Sequence, residues 1–161
     1  MRLFIGVDPG LTGALASISD NRLLLLADLP IMARGVSGKV KNQVNPAALS
    51  ALFRELVEGF GKNETIVAIE LMGAMPGQGV SSTLSIGLTA GLIEGVVAAA
   101  GLRYELVRPS KWKKSMALSA DKEQARAAAI KMFPEADLKL KKHHNRAEAI
   151  LLAEWARRGW E

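Results

Sequence analysis

The chain has 161 residues, 49% of them apolar and 23% charged, and a mean hydropathy of +0.14. It is long enough to bury a core of its own and too apolar to be disordered. It has no cysteine, which excludes a disulfide framework, a thiol nucleophile and a thiolate zinc site. The net charge of +5 is uneven, with seven basic and seven acidic residues in 1–80 against fourteen and nine in 81–161. That asymmetry fits a polyanionic partner, nucleic acid first, or a solvated lysine-rich surface.

Residues 2–7 read as a buried strand that Pro9-Gly10 ends, and residues 11–19 as a second strand. Asp20-Asn21 is a tight turn into the leucine run 23–26, so the three segments form an antiparallel meander. A loop containing glycine and lysine is expected from residue 33 to about residue 44. Asn45 then caps a helix with Pro46 at its first position, running to about residue 60 with Leu49, Leu52, Phe53, Leu56 and Val57 on one face. The β-branched run 65–70 reads as a central strand covered on both faces. A Gly/Pro/Met loop leads to a helix over about 82–100, a strand over 104–107 and helices over 121–133 and 145–158.

Neither repeats nor a long linker divide this order, so a single α/β domain over 1–161 is expected, with helices packed on one mixed sheet. No apolar stretch before Asp8 is long enough for a signal peptide, and Asp28 and Glu94 interrupt the two greasiest later runs. The expected protein is soluble and cytoplasmic, with no membrane partner.

Asp8 stands at the end of the first strand, against a proline that has no N–H and a glycine that permits positive φ. It is either a turn-forming Asp or a carboxylate held rigidly at the mouth of the sheet. Glu70 closes the apolar run 66–69, and ligand sites in open α/β sheets lie outside the carboxyl ends of strands. If the two strands are neighbours, the two carboxylates converge, and oxygen-only ligation of that kind suits Mg²⁺ or Mn²⁺. His143-His144-Asn145-Arg146-Ala147-Glu148 opens the last helix; His144 and Glu148 are four apart and share a face, as Asn145 and Glu148 nearly do. Either pair completes a metal site, while Asn145 and Glu148 also fit a capping box.

Arg108, Lys111, Lys113 and Lys114 surround Trp112, a pattern that suits phosphate contacts with the tryptophan in the core. Gly87, Gly91, Gly95 and Ala99 recur every four residues along one predicted helix. Three helical glycines cost about 3 kcal/mol relative to alanine, so a close neighbour is expected there, the sheet first and a second copy of the chain next.

Taken together, Ile5-Gly6-Val7-Asp8-Pro9-Gly10 with Thr12-Gly13, the run ending in Glu70, the basic segment 109–113 and Arg146-Ala147-Glu148-Ala149 resemble the RuvC-type Holliday junction resolvases, above all their short phage and prophage forms. The resemblance covers nearly the whole chain. It implies a ribonuclease H-like fold, three antiparallel strands followed by parallel ones in a five-stranded sheet. It further implies a homodimer that serves DNA recombination and repair by metal-dependent, paired symmetric nicking of four-way or other branched DNA, with no small-molecule cofactor. The family's carboxylates fall on Asp8, Glu70 and Glu148. A further acid or histidine precedes the last one in the family; here Asn145, a poor ligand, stands three residues upstream and His144 four upstream, and His144 is the expected ligand. Asp8 would bridge two Mg²⁺ ions, or Mn²⁺ in their place, with Glu70 and Glu148 each holding one. Lys113 matches the family's phosphate-binding lysine, with Lys111, Lys114 and Arg108 beside it. Where resolvases often carry an aromatic side chain after the second acid, only Met72 and Met75 are available, and their stacking on bases is weaker. A related nuclease of the YqgF type acting on structured RNA, and a junction-binding protein without catalysis, are the competing expectations.

Overall fold

The computed structural model describes residues 1–36, 39–73 and 77–160. In chain order the elements are β1 (Leu3–Asp8), β2 (Ala14–Ser19), β3 (Arg22–Asp28), β4 (Ile31–Val36), β5 (Lys39–Val44) and α1 (Pro46–Glu58). They continue with β6 (Thr65–Glu70), α2 (Val80–Ala99), β7 (Arg103–Val107), α3 (Pro109–Ser115), α4 (Lys122–Met132) and α5 (His144–Trp160). The main sheet has five strands in the order β3-β2-β1-β6-β7. The pairings β1–β2 and β2–β3 are antiparallel, and β1–β6 and β6–β7 parallel. This is the expected ribonuclease H-like arrangement.

Every residue of β1 and β2 is buried, as continuous apolar strands in the middle of a sheet require. Alternate residues serve two cores. Leu3, Ile5, Val7, Val67 and Ile69 face α1 and α2, packing with Leu49, Phe53, Ile93 and Val97. Phe4, Ile66 and Ala68 face the other way, onto Trp112 of α3, Ala125 and Ala129 of α4 and the apolar face of α5. The turn between β2 and β3 has Asp20 and Asn21 at φ 47° and 60°, the left-handed pair that a two-residue hairpin demands. Asn45 caps α1 as its sequence foretells, accepting from the backbone N–H groups of Ala47 and Ala48 at 3.1 Å each.

Three expectations are corrected. Residues 33–44 are not a loop: Ile31 pairs with Val44, Arg34 with Lys41 and Gly35 with Val40 in an antiparallel hairpin that forms its own two-stranded sheet. Its strands contain glycine, lysine, asparagine and glutamine, so strand propensity gave no sign of them. The segment 109–115, for which no element is expected from sequence, is a short helix started by Pro109 at its first position. The glycine stripe does not face the sheet. The buried residues of α2 are Thr89, Ile93 and Val97, whereas a Cβ added at Gly87, Gly91 or Gly95 would meet nothing within 4 Å. With 20 residues and a mean hydropathy of 1.5, α2 is long and apolar enough to cross a membrane by composition, although it lies packed on α1 and the sheet edge.

Candidate active site

Strand register creates the site. Asp8 pairs with Ala14, which pairs with Asp28, and Val7 pairs with Ile69, so Asp8 and Glu70 end adjacent parallel strands in the same row. Neighbouring strands lie about 4.8 Å apart and in-register side chains share a face. Here that face is the one covered by α5. Gly6 lets α5 approach: a Cβ there would stand 2.0 Å from the Ala149 carbonyl oxygen and 2.4 Å from the Ala153 nitrogen. Backbone against backbone at Gly6 brings Glu148, in the first turns of α5, over the ends of β1 and β6.

Asp8 and Glu70 both sense the charge of Glu148. Asp8 is 7% exposed, and its carboxyl is pushed well above the ordinary range, first by burial and then by the charges of Glu148 and Glu70, against the pull of Lys122 and Lys113. Burial also raises Glu70; the Trp112 N–H opposes the shift, Glu148 adds to it, and Lys113 and Lys122 oppose it. The Trp112 indole Nε1 donates to Glu70 Oε2 at 2.8 Å. Lys113 Nζ donates to Glu148 Oε1 at 2.6 Å, a pair with side chains only 15% and 7% exposed. The same ammonium lies 5.1 Å from the centre of the Trp112 ring. One turn of α3 therefore steadies two of the three carboxylates, with Trp112 itself fully buried.

The other expected residues are placed differently. His144 begins α5, half-buried, with Nδ1 3.3 Å from the Lys141 carbonyl. Asn145 donates from Nδ2 to the Thr12 carbonyl at 2.6 Å and to Thr12 Oγ1 at 3.0 Å; it ties α5 to the turn after Asp8. Lys111 leaves the centre and pairs with Glu105 at 2.7 Å, 5.1 Å above the Trp155 ring. Arg108 and Lys114 are exposed, and Met72 is half-buried two residues beyond Glu70. Met75 lies outside the described residues.

Sequence reading missed Lys122. It is the first residue of α4, and its charge acts on both Asp8 and Glu70. Its only sequence signal is its position next to the Asp121 N-cap, which says nothing of tertiary neighbours. Gly6 was visible inside a motif, but its packing role depends on a helix more than 140 positions later.

The donor set suits a hard divalent cation: all three groups are carboxylates, and a bound cation offsets both the burial and the repulsion that raise Asp8 and Glu70. Among the described residues, no three His, Asp or Glu side chains are gathered tightly enough, as they stand, to enclose one ion. Glu148 is turned to Lys113 and Glu70 to Trp112.

Solved structures share this architecture. RuvC from Thermus thermophilus, in complex with a Holliday junction substrate, superposes with a TM-score of 0.63 at 17% identity, covering 99% of this chain and 97% of that one. The fold is that of RuvC. A second structure of Thermus thermophilus RuvC gives a TM-score of 0.57 at 18% identity, with 98% and 97% covered. No protein-family profile and no curated protein matches the sequence. The likeness of fold extends over nearly the whole chain.

Proposed function

We propose that this chain is an endonuclease that hydrolyses phosphodiesters in four-way or otherwise branched DNA, at the centre made by Asp8, Glu70 and Glu148. One observation carries the reading: three acids from β1, β6 and α5 meet on one edge of a RuvC-fold sheet, with burial and mutual repulsion raising two of them. Carboxylates so arranged favour bound cations.

Asp8, Glu70 and Glu148 would hold two Mg²⁺ ions, with Mn²⁺ as a substitute, whereas His144, the further ligand expected from sequence, has its Nδ1 against the Lys141 carbonyl. Such ions supply water activation and charge neutralisation at the leaving oxygen. The chain's own groups do the rest. The Trp112 N–H orients Glu70. Lys113 holds Glu148 in the free protein, and its release leaves an ammonium beside the reacting phosphate; Lys122 supplies a second positive charge on the other flank. Arg108, Lys111 and Lys114 contact the sugar-phosphate backbone outside the centre. Met72, just past Glu70, is the apolar group available to press against bases at the crossover.

The outward face of α2 supports a homodimer. Val80 is 87% exposed and Leu84 and Leu88 are each 62% exposed. Beside them Gly87, Gly91 and Gly95 leave room for a second helix to approach closely. A two-fold pair of chains would set two centres on the two-fold symmetry of a four-way junction.

Asn145 favours one other reading, a junction-binding protein that does not cut, because an amide bonded to Thr12 stands near where the family places a further ligand. Incubation with a labelled four-way junction and a matched linear duplex in Mg²⁺ or Mn²⁺ separates the two. The nuclease reading expects cleavage confined to the junction and lost in Asp8→Asn. Tight junction binding without cleavage in either metal selects the second reading.

A further inference from the structure

The hairpin of β4 and β5 is a concentrated cationic feature in the neutral half of the chain. Residues 31–44 hold three of the seven basic residues of 1–80 (Arg34, Lys39 and Lys41) and none of the seven acidic ones. Register places Arg34 directly opposite Lys41. Directly opposed side chains have Cβ atoms about 4.5–5.5 Å apart, and like charges so placed destabilise a hairpin. The fold does not relieve the repulsion. Arg34 donates to the neutral Gln43 Oε1 at 3.1 Å, and Lys41 has no hydrogen bond or ion pair among the described residues.

The placement of the hairpin gives the charge a purpose. Asp28, at the end of β3, lies in the same row as Ala14 and Asp8, two strands or roughly 10 Å from the candidate centre. The hairpin starts three residues later. Its base is tied down where Asn45 N–H donates to the Pro30 carbonyl at 2.8 Å and Leu29 N–H to the Gly13 carbonyl at 2.9 Å. Arg34, Lys41 and Gln43 stand along one wall of a groove of about 420 Å³ whose other wall is α2, with Ser81 and Ser85 beside Leu84 and Leu88 of the apolar face. Arg34 and Lys41 are both exposed on the ribbon; paired cations match a sugar-phosphate strand, and a two-stranded ribbon is an element that nucleic-acid grooves accept.

We infer that the β4–β5 hairpin is a second DNA contact, in which Arg34 and Lys41 together bind the phosphate backbone of a duplex arm flanking the cleavage centre. This rests on the nuclease reading and deepens it. The unfavourable pairing is retained because bound phosphate, not a protein acid, is its counter-charge.

The test is fluorescence anisotropy of a labelled four-way junction in EDTA, titrated at several KCl concentrations. For Arg34→Gln with Lys41→Gln, Kd is expected to rise roughly tenfold at 150 mM salt, and the slope of log Kd against log salt to fall by about 1–2, near 0.9 per lost phosphate contact. Lys41→Glu supplies a second readout: it weakens binding while leaving Tm unchanged or higher, because Arg34 gains an opposite charge. A wild-type protein that binds the junction with a slope the substitutions leave intact overturns the hairpin's role alone. A wild-type protein that binds neither junction nor duplex overturns the nuclease reading as well.

Discussion

Asp8 is buried between two other acids, so its charge opposes folding until a cation arrives. Replacing it with asparagine removes that charge and keeps the shape. Asp8→Asn is expected to raise Tm in EDTA by about 2–4 °C while lowering junction cleavage at least about 100-fold. A scanning-calorimetry trace showing lower Tm would contradict the electrostatic account of this residue. Trp112→Phe keeps most of the packing and deletes the N–H that bonds Glu70; a stability loss of about 1–2 kcal/mol in urea denaturation is expected. At this scale the sequence was legible wherever a residue ends or opens an element. Asp8 and Glu70 end apolar strands, and Glu148 sits in the opening turns of an apolar helix, so all three stood out. The Trp112–Glu70 bond and the reach of Lys122 were not legible, because each joins residues whose proximity exists only after the sheet forms. His144 was preferred to Asn145 on ligand chemistry alone, since one turn of helix puts both near Glu148. The structure gives Asn145 a defined structural bond to Thr12.

At the scale of elements, α5 lies against β1, and Gly6 is the residue that permits it. Gly6→Ala would drive a methyl group into the backbone of α5. A loss of about 4 kcal/mol or more, or no cooperative unfolding transition, is the expected result; a Tm within a few degrees of wild type would contradict it. Further along α5, Glu154 is 4% exposed and accepts from Arg157 Nε at 2.8 Å and Arg158 Nε at 2.7 Å. Burial alone would raise its carboxyl, but the hydrogen bonds and charges of the two arginines together hold it below the ordinary range. A lowered acid stabilises the fold above its unfolded pKa, near 4.3, and that contribution disappears as pH falls through the folded value. Thermal melts from pH 7 to pH 3 should therefore show Tm falling mainly below about pH 5, and Glu154→Gln should shrink that fall. Equal pH dependence in both proteins would contradict this assignment. The helices with a clear apolar period and a capping residue, α1 and α4, were legible. The β4–β5 hairpin was not, because pairing register makes it and its residues carry no period-two pattern.

For the whole molecule, counting charge by halves located the basic excess after residue 80 and concealed the cationic hairpin inside a balanced half. The same coarse view assigned the glycine stripe of α2 to the sheet, where the structure turns it outward. Leu84→Glu with Leu88→Glu should convert a dimer to a monomer in sedimentation equilibrium with little change in Tm, since both side chains are exposed. A wild-type monomer at micromolar concentration would contradict the α2 interface. The central claim, that the edge formed by Asp8, Glu70 and Glu148 is a metal-dependent centre for cutting branched DNA, is tested most directly by mapping cleavage sites. Each strand of a four-way junction would be end-labelled in turn and incubated in Mg²⁺ with wild type and with Asp8→Asn. The account predicts nicks at symmetric positions on two opposed strands, with ends that DNA ligase reseals, and none from the variant. Cutting that is identical in the two proteins, or equal on linear duplex, would contradict it.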